Sequence, residues 1–332
     1  MSLLPKCKIL YFVSDRAKAL INLAKEKNKV PSVADIFHFK YNINKLLCLA
    51  LSSKLRSSRL AIKELESKNI EEKCIEVTKS QNEAYAAIQF HTDLYVESMS
   101  NISQIVHPYR QGNGIQTQQN AILEINTTLS NIEQVIEACQ IKDTYQLFRK
   151  SKNQLEDVVA VIPLWHDLVT EELISFQLEE QTKEWFARFL LPITYWEQAL
   201  RKTKYMPQRN FIKQQIDLCK AFKYKIAAQF SQQEYEELKG KALFLTAKFQ
   251  RASSQVEGRN GFLSQINHNQ KGFDKTRLEV MTVIHNFDTR RIDGKTPAQR
   301  LFGNKMTFEP LFEYIIKNID ELPRPRKRKI IH

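Results

Sequence analysis

The chain has 332 residues, of which 42% are hydrophobic and 26% are charged, and its 50 lysines and arginines exceed its 37 aspartates and glutamates by 13. This composition excludes a disordered or collagen-like chain, and the scarcity of glycine, with eight in all and the first at Gly112, excludes an all-β fold. Because no apolar run reaches ~18 residues and no signal-peptide pattern is present, we expect a cytoplasmic protein that does not enter a membrane.

The amino-terminal segment contains the one clear strand of the sequence. Residues Lys8 to Val13 (KILYFV) form a short run of β-branched and aromatic residues, which predicts a buried strand. Asp15 follows directly, and a segment with helical spacing comes next. Since a single strand cannot form a sheet, we expect its partners to come from another chain or from a domain that begins upstream.

The long middle of the chain is predicted to be almost wholly helical. Pro31-Ser32 resembles a helix start with Ser32 as its cap, and helical spacing of apolar residues continues to about Phe249. Prolines, glycines and polar clusters predict breaks near 67–70, 107–114, Pro163, Pro192, Pro207 and Gly240.

The last segment changes character. Residues 251–275 contain three of the eight glycines, and an apolar stretch follows. A short helix is then predicted with Thr296 as its cap, Pro297 at its first position and Gly303 as its end. The final ten residues (PRPRKRKIIH) form a basic tail.

Most of the positive charge lies late in the chain. Residues 246–305 carry 11 basic and 5 acidic side chains, and everything after residue 245 sums to +8 of the total +13. Such a charge distribution favours a polyanionic partner, of which nucleic acid is the commonest. The alternative is a generally basic protein with a solvated tail.

Two acidic residues are candidates for metal chemistry. Asp15 ends the predicted strand, where open α/β sheets bind ligands, and Glu257 lies near the start of a later helix. Carboxylates brought together in this way hold the Mg²⁺ pair used in phosphodiester chemistry. The spacing alone leaves a structural alternative open, in which Asp15 caps a helix beginning at Arg16 and Ser254-x-x-Glu257 is a capping box. The five cysteines are isolated and suggest neither a disulfide framework nor a zinc site.

Five segments resemble a known family. VSDRAKALINLA, DIFHF, SSQVEGRNGFLS, HNF and DGKTPAQRLFG, in this order and separation, are similar to the later part of a DDE-type DNA transposase with an RNase H-like catalytic core. In that family the second catalytic Asp ends a core strand, a helical insertion follows, and the last catalytic Glu lies on a helix after the insertion. The resemblance implies that Asp15 and Glu257 are these two residues and that both bind Mg²⁺.

The resemblance also implies a missing part. The family's first catalytic Asp lies on a central strand upstream of the segment seen here, and no room for that strand exists before Lys8. We therefore expect an amino-terminally truncated transposase that is inactive alone. The implied partners are transposon-end and target DNA, a separately encoded amino-terminal fragment and further copies of the complete enzyme in a homo-oligomer.

These observations predict a mainly α fold with an incomplete RNase H-like α/β core, one clear strand and a large all-α insertion. The expected domains are a core remnant (1–40), a helical insertion (41–245), the carboxyl-terminal part of the core (246–305), and a terminal helix with the basic tail (306–332). In its complete form the enzyme would cleave DNA strands and transfer them to a target.

DNA contacts are predicted around Glu257. The flanking residues that could bind phosphates are Arg251, Arg259, Asn260, Lys271 and Arg277, although ordinary solvated charges are an equal alternative. Three tryptophans of the helical segment could hold an unstacked base, but helical tryptophans usually serve packing. The alternative function is a non-catalytic basic helical DNA-binding protein in which both carboxylates only cap helices. Convergence of Asp15 and Glu257 would distinguish the two.

Overall fold

The protein is mainly helical, as its sequence predicts. A computed structural model describes residues 9–67, 72–141, 145–227, 229–269, 274–290, 293–302 and 309–318. The chain divides into two compact units, Met1–Ser253 and Ser254–His332. Within the described ranges, no helix is long and apolar enough to cross a membrane.

The first unit opens with two short parallel strands. Strand β1 is Phe12–Ser14 and strand β2 is Ser32–Ala34. They are joined by helix α1 (Lys18–Asn22), which continues as a π-helical turn (Leu23–Lys27). This β1-α1-β2 unit is a parallel crossover whose two strands end at the same edge of the sheet.

The pairing corrects two expectations from the sequence. The predicted strand has a partner within the same chain, so the expectation of a single unpartnered strand is wrong. Ser32 begins that partner strand rather than capping a helix, and the next helix begins at Ile36. Three residues are too few for an alternating pattern, which is why β2 gives no recognisable strand signal.

Helices form the rest of the described part of the first unit. Their bounds are α2 Ile36–Ser67, α3 Glu72–Ile105, α4 Gln118–Ala138, α5 Tyr145–Lys152, α6 Leu155–Val159, α7 Val161–Ser175, α8 Glu180–Trp185, α9 Leu191–Lys202, α10 Met206–Ala227 and α11 Gln232–Ala247, with a second π-helical turn at Phe186–Leu190.

Most of the predicted breaks coincide with helix boundaries. Helix α2 ends at Ser67, α3 and α4 are separated by residues 106–117, and α10 begins beside Pro207. Pro163 and Pro192 lie in the first turns of α7 and α9, where the missing N–H of proline is tolerated. The predicted break at Gly240 is wrong, because this residue lies inside α11.

Described side chains of helices α2 and α3 are fully buried in only about half of each helix. The apolar side of α2 buries Ile36, Phe39, Ile43, Leu47 and Leu51 at helical spacing. No residue of α2 after Leu51 is buried, and none of the described α3 side chains is buried before position 95. The described distal halves of the two helices therefore carry only half-buried and exposed side chains.

Aromatic side chains fill the core of the first unit. The three tryptophans, Trp165, Trp185 and Trp196, are at most 2% exposed. Trp165 donates its ring N–H to the Leu245 carbonyl (3.0 Å) and Trp196 donates to the Asn113 side chain (2.9 Å). The hypothesis that a tryptophan holds an unstacked base is therefore wrong for this state, because none of the rings is available to a base.

The second unit contains α12 (Ser254–Asn269), α13 (Lys275–Phe287), α14 (Pro297–Phe302) and α15 (Leu311–Asn318). The predicted start of α14 is confirmed, since the Thr296 hydroxyl accepts from a backbone N–H of its first turn. Gly303, the predicted end of that helix, lies outside the described residues.

Stability is predicted to depend on the protonation of a buried histidine. The Nδ1 atom of His107 lies 2.5 Å from the Tyr195 hydroxyl. Burial, and secondarily the charge of Arg251, hold the pKa of His107 well below its usual 6.5. The unfolded chain therefore binds a proton that the folded chain resists, and the stabilisation present above ~6.5 is lost as the pH falls toward the folded pKa.

We expect the free energy of unfolding of the first unit, measured by urea titration, to fall between about pH 7 and about pH 5, by ~1.4 kcal/mol for each pH unit below ~6.5. His107→Gln should reduce this pH dependence. Tyr195→Phe is the matched control, because it removes the hydrogen bond but keeps the imidazole, and it should retain the dependence. An unchanged dependence in His107→Gln would contradict the assignment.

Candidate active site

Asp15 lies at the carboxyl end of β1, as predicted. The strand ends at Ser14, and Asp15 is exposed with one carboxylate oxygen accepting the backbone N–H of Ala17 at 3.1 Å. Helix α1 begins only at Lys18. The structural alternative, a cap on a helix beginning at Arg16, is therefore wrong, and Asp15 instead closes a turn between strand and helix.

The turn that carries Asp15 is fixed by its neighbour. Arg16 has a left-handed backbone (φ +68°), which is uncommon for a residue other than glycine. Its guanidinium donates to the Ser32 carbonyl (3.2 Å) and hydroxyl (2.9 Å) and pairs with Asp157 on α6 at 2.7 Å. These contacts attach the turn to β2 and to the helical part of the same unit, so the position of Asp15 is well defined.

A second aspartate, not singled out in the sequence, lies at the same edge of the sheet. Asp35 directly follows β2, and its backbone N–H donates to the Ser14 carbonyl at 2.8 Å. Its carboxylate is buried, with 1% of the residue exposed. One oxygen accepts the Phe37 N–H (2.6 Å) at the start of α2, and the other accepts the N–H (2.8 Å) and the hydroxyl of Ser253.

The segment that precedes α12 is bound beside the two strands. The Tyr11 hydroxyl donates to the Lys248 carbonyl and accepts the Gln250 N–H, both at 2.8 Å. The Ile36 N–H donates to the Arg251 carbonyl at 3.1 Å. Lys248 and Gln250 therefore contact the residue that precedes β1, and residues 251–253 reach the carboxyl edge of the sheet after the long helical segment.

Glu257 lies in the first turn of the helix that this segment leads into. Helix α12 begins at Ser254, so the residue in the cap position is Ser253, whose hydroxyl donates to Asp35. The predicted capping box, with Ser254 as the cap, therefore does not match the helix boundary. The side chain of Glu257 lies outside the described part of the chain.

Arg251 has a role within the fold. Its guanidinium donates to the carbonyls of Ser103 (2.6 Å) and Val106 (2.7 Å) at the carboxyl end of α3. Unpaired carbonyls and the negative end of the helix dipole stabilise a cation there. One guanidinium nitrogen of Arg251 thus serves the fold, and the phosphate contact by Arg251 stays a prediction.

A second cation lies beside Arg251. Lys40 of α2 donates to the Ser103 hydroxyl. Burial, and then the charge of Arg251, lower the pKa of Lys40 to about 8. Two cations therefore donate hydrogen bonds at the carboxyl end of α3.

The other predicted DNA contacts lie in the second unit and are only partly described. The Arg259 guanidinium donates to the Met281 carbonyl at 3.0 Å, which links α12 to α13. Arg277 is exposed, and its backbone N–H is accepted by the Asp274 carboxylate that caps α13. Two further predictions, the side chain of Asn260 and the whole of Lys271, lie outside the described residues.

The DGKTPAQ segment forms a self-contained helix start. The Asp293 carboxylate accepts the Lys295 N–H (3.2 Å) and pairs with Arg300 at 2.8 Å. The hydrogen bond with Arg300 lowers the pKa of Asp293. Thr296 and Gln299 exchange side-chain and backbone hydrogen bonds at 2.9 and 3.2 Å. This part of the family resemblance therefore corresponds to a local capping arrangement.

Of the two candidate metal ligands, Asp15 has a described side chain. The second oxygen of Asp15 accepts no hydrogen bond from the described residues, and the side chain is exposed, so the carboxylate suits Mg²⁺. Within the described ranges, no three His, Cys, Asp or Glu side chains converge as a metal site.

Comparison with known proteins gives one similarity. Residues 186–331 match a family of unknown function (DUF6399). No curated protein and no solved structure matches the chain. The matched segment includes Glu257 and the DGKTPAQ segment, whereas Asp15 lies outside it.

The buried carboxylate of Asp35 is predicted to be a large contributor to stability. Asp35→Ala removes the cap of α2, worth ~1 kcal/mol, and leaves the half-buried polar groups of Ser253 without their acceptor, worth a further ~1–3 kcal/mol. We expect the urea midpoint of the first unit to fall by the equivalent of ~2–4 kcal/mol.

Thr117→Ala is the matched control for this change. Thr117 is an exposed cap of α4 whose hydroxyl accepts the Asn120 N–H at 3.2 Å, so its loss should cost only ~1 kcal/mol. Equal effects of the two substitutions would show that the contact with Ser253 adds nothing.

Proposed function

We propose that the chain is the later part of a DDE-like DNA transposase with an RNase H-like core, in which Asp15 and Glu257 bind Mg²⁺. One observation carries the proposal. Asp15 follows a parallel strand at the sheet edge to which residues 251–253 return, and these residues lead directly into the helix that bears Glu257. Cytoplasmic location is part of the same proposal.

The order of elements supports this proposal. A β1-α1-β2 crossover comes first, helices occupy Ile36 to Ala247, and α12 follows. The transposase resemblance implies the same sequence of a core strand ending in Asp, a helical insertion and a later helix bearing Glu. Because Ser253 is hydrogen-bonded beside β2, the insertion begins and ends at the same edge of the sheet.

The free edge of β1 offers a place for a further strand. Phe12 and Ser14 direct their backbone groups towards β2, so the N–H and C=O of Val13 point to the opposite side. They have no hydrogen-bond partner among the residues that the structure describes. We propose that a strand carrying the first catalytic Asp pairs here, from the same or a separate polypeptide.

The proposed chemistry is phosphodiester cleavage followed by strand transfer. Bound Mg²⁺ would activate the attacking oxygen and stabilise the leaving one. The part played by this chain is to hold Asp15 through the contacts of Arg16, and to hold Ser253, the residue before the Glu257 helix, through Asp35. Homo-oligomerisation of the complete enzyme on its DNA belongs to the same proposal.

Convergence of the two carboxylates is the decisive test. We would replace the native cysteines, introduce Asp15→Cys with Glu257→Cys, and treat the chain with a short bis-maleimide. The proposal predicts efficient internal cross-linking, because metal-bridging ligands lie within a few ångströms of each other. The measurement is the fraction of cross-linked chain by mass spectrometry after proteolysis.

Asp15→Cys with Glu279→Cys is the control pair, since Glu279 is exposed on α13. If the Glu257 pair cross-links no faster than the control, the two carboxylates do not share a site. The transposase proposal would then fail, and a non-catalytic DNA-binding protein would remain. The contact between Asp15 and the Ala17 N–H already gives Asp15 a structural use in that second function.

Metal affinity provides an independent prediction. Mn²⁺, used as a paramagnetic substitute for Mg²⁺, should bind the wild-type chain. Its affinity for Asp15→Asn and for Glu257→Gln should be at least ~10-fold lower, because each change removes a ligand. Glu279→Gln should bind Mn²⁺ as the wild type does. Equal affinity in all four proteins, measured by electron paramagnetic resonance, would refute a metal site at these residues.

A further inference from the structure

A continuous basic stretch on α2 lies outside every site described above. Residues 36–63 contain six lysines and arginines and no aspartate or glutamate. By contrast, residues 76–105 of the neighbouring α3 contain one lysine and four acidic residues. The two long helices therefore have opposite charge, and the positive excess belongs to α2.

Four of the six cations face solvent. Lys45, Arg56, Arg59 and Lys63 are exposed, whereas the apolar residues of α2 that are buried lie on another side of the helix. Arg56, Arg59 and Lys63 are spaced i, i+3, i+7, which places them in one stripe. None of the four forms an ion pair with an acid in the described part of the chain.

Two aromatic rings continue this stripe towards the candidate active site. Phe37 and Tyr41 are 58% and 49% exposed, and their rings are nearly parallel, with centroids 6.2 Å apart and an interplanar angle of 18°. Steps of four residues lead from Phe37 to Tyr41 and on to Lys45. Phe37 also binds Asp35 through its backbone, so the aromatic end of the stripe lies at the carboxyl edge of the sheet.

We propose that this stripe, the α2 basic face (Phe37, Tyr41, Lys45, Arg56, Arg59 and Lys63), binds DNA that includes a single-stranded stretch. Unpaired cations in a line attract a phosphate backbone, and exposed aromatic rings stack on bases that are not held in a duplex. The segment from Lys45 to Lys63 spans ~27 Å, or about eight nucleotides at ~3.4 Å each. DNA running along it would present an unpaired base beside Asp15.

The inference uses the proposed DNA substrate but not the proposed metal chemistry. A chain that binds DNA through α2 and holds no Mg²⁺ would satisfy this proposal and not the earlier one. A chain that binds the metal but does not bind DNA through α2 would be recognised as clearly, because the cross-linking and Mn²⁺ measurements involve no residue of the α2 basic face.

The first test removes the charges. Arg56→Gln, Arg59→Gln and Lys63→Gln are combined in one variant, and binding of a labelled single-stranded oligonucleotide is followed by fluorescence anisotropy over a series of salt concentrations. The slope of log affinity against log salt should fall by about 2, since each lost phosphate contact on a single strand removes ~0.7. Circular dichroism checks that helicity is retained.

A control variant removes the same charge elsewhere. Lys202, Lys204 and Lys213 are exposed, and none forms an ion pair with a described acid. Their combined replacement by Gln should leave the slope close to that of the wild type. Equal losses in the two variants would overturn the proposal, because binding would then reflect net charge rather than the α2 basic face.

The second test reports on base stacking. Because the three native tryptophans are buried, Phe37→Trp adds an exposed fluorophore at the proposed position. Single-stranded DNA should quench the added emission strongly, whereas a blunt duplex of the same length should quench it weakly. Equal quenching by both, or stronger quenching by an RNA of the same sequence, would contradict the assignment to single-stranded DNA.

Discussion

The buried carboxylate of Asp35 is the constraint on which the architecture around the sheet depends. A buried charge is tolerated only when its acceptor sites are filled, and here the donors are the Phe37 N–H and two groups of Ser253. One donor belongs to the start of α2 and the others to a residue 218 positions further along the chain. Satisfying one side chain therefore fixes the beginning and the end of the helical segment beside the same strand.

Hydrogen bonds alone do not close so long a segment. Bringing the ends of about 200 residues together costs ~5 kcal/mol in chain entropy, and each hydrogen bond contributes only ~1 kcal/mol net. Burial of Leu245 and Phe249, worth ~1.5–3 kcal/mol each, is of the required size. The aromatic core therefore supplies the free energy that returns the chain to the sheet, whereas Asp35 determines where the returning segment lies.

The sequence predicted those features whose signals are local. Helix boundaries at Ser67 and Pro207, the cap at Thr296 and the position of Asp15 after β1 follow from neighbouring residues. Strand β2 and the role of Arg251 could not be predicted in this way. A three-residue strand is defined by its partner, and the partner carbonyls of Arg251 lie some 145 residues away.

Positive charge illustrates the same distinction between local and tertiary information. Arg16, Arg251 and Arg259 add to the net charge, yet each donates to carbonyl or carboxylate oxygens of its own unit. A count of basic residues therefore overestimates what is available to a polyanion near Glu257. The exposed cations of α2 are in the opposite situation, since no acid lies on their segment. The absence of acidic residues from positions 36–63 of a long helix is visible in sequence, and it indicates available charge more directly than the net total does.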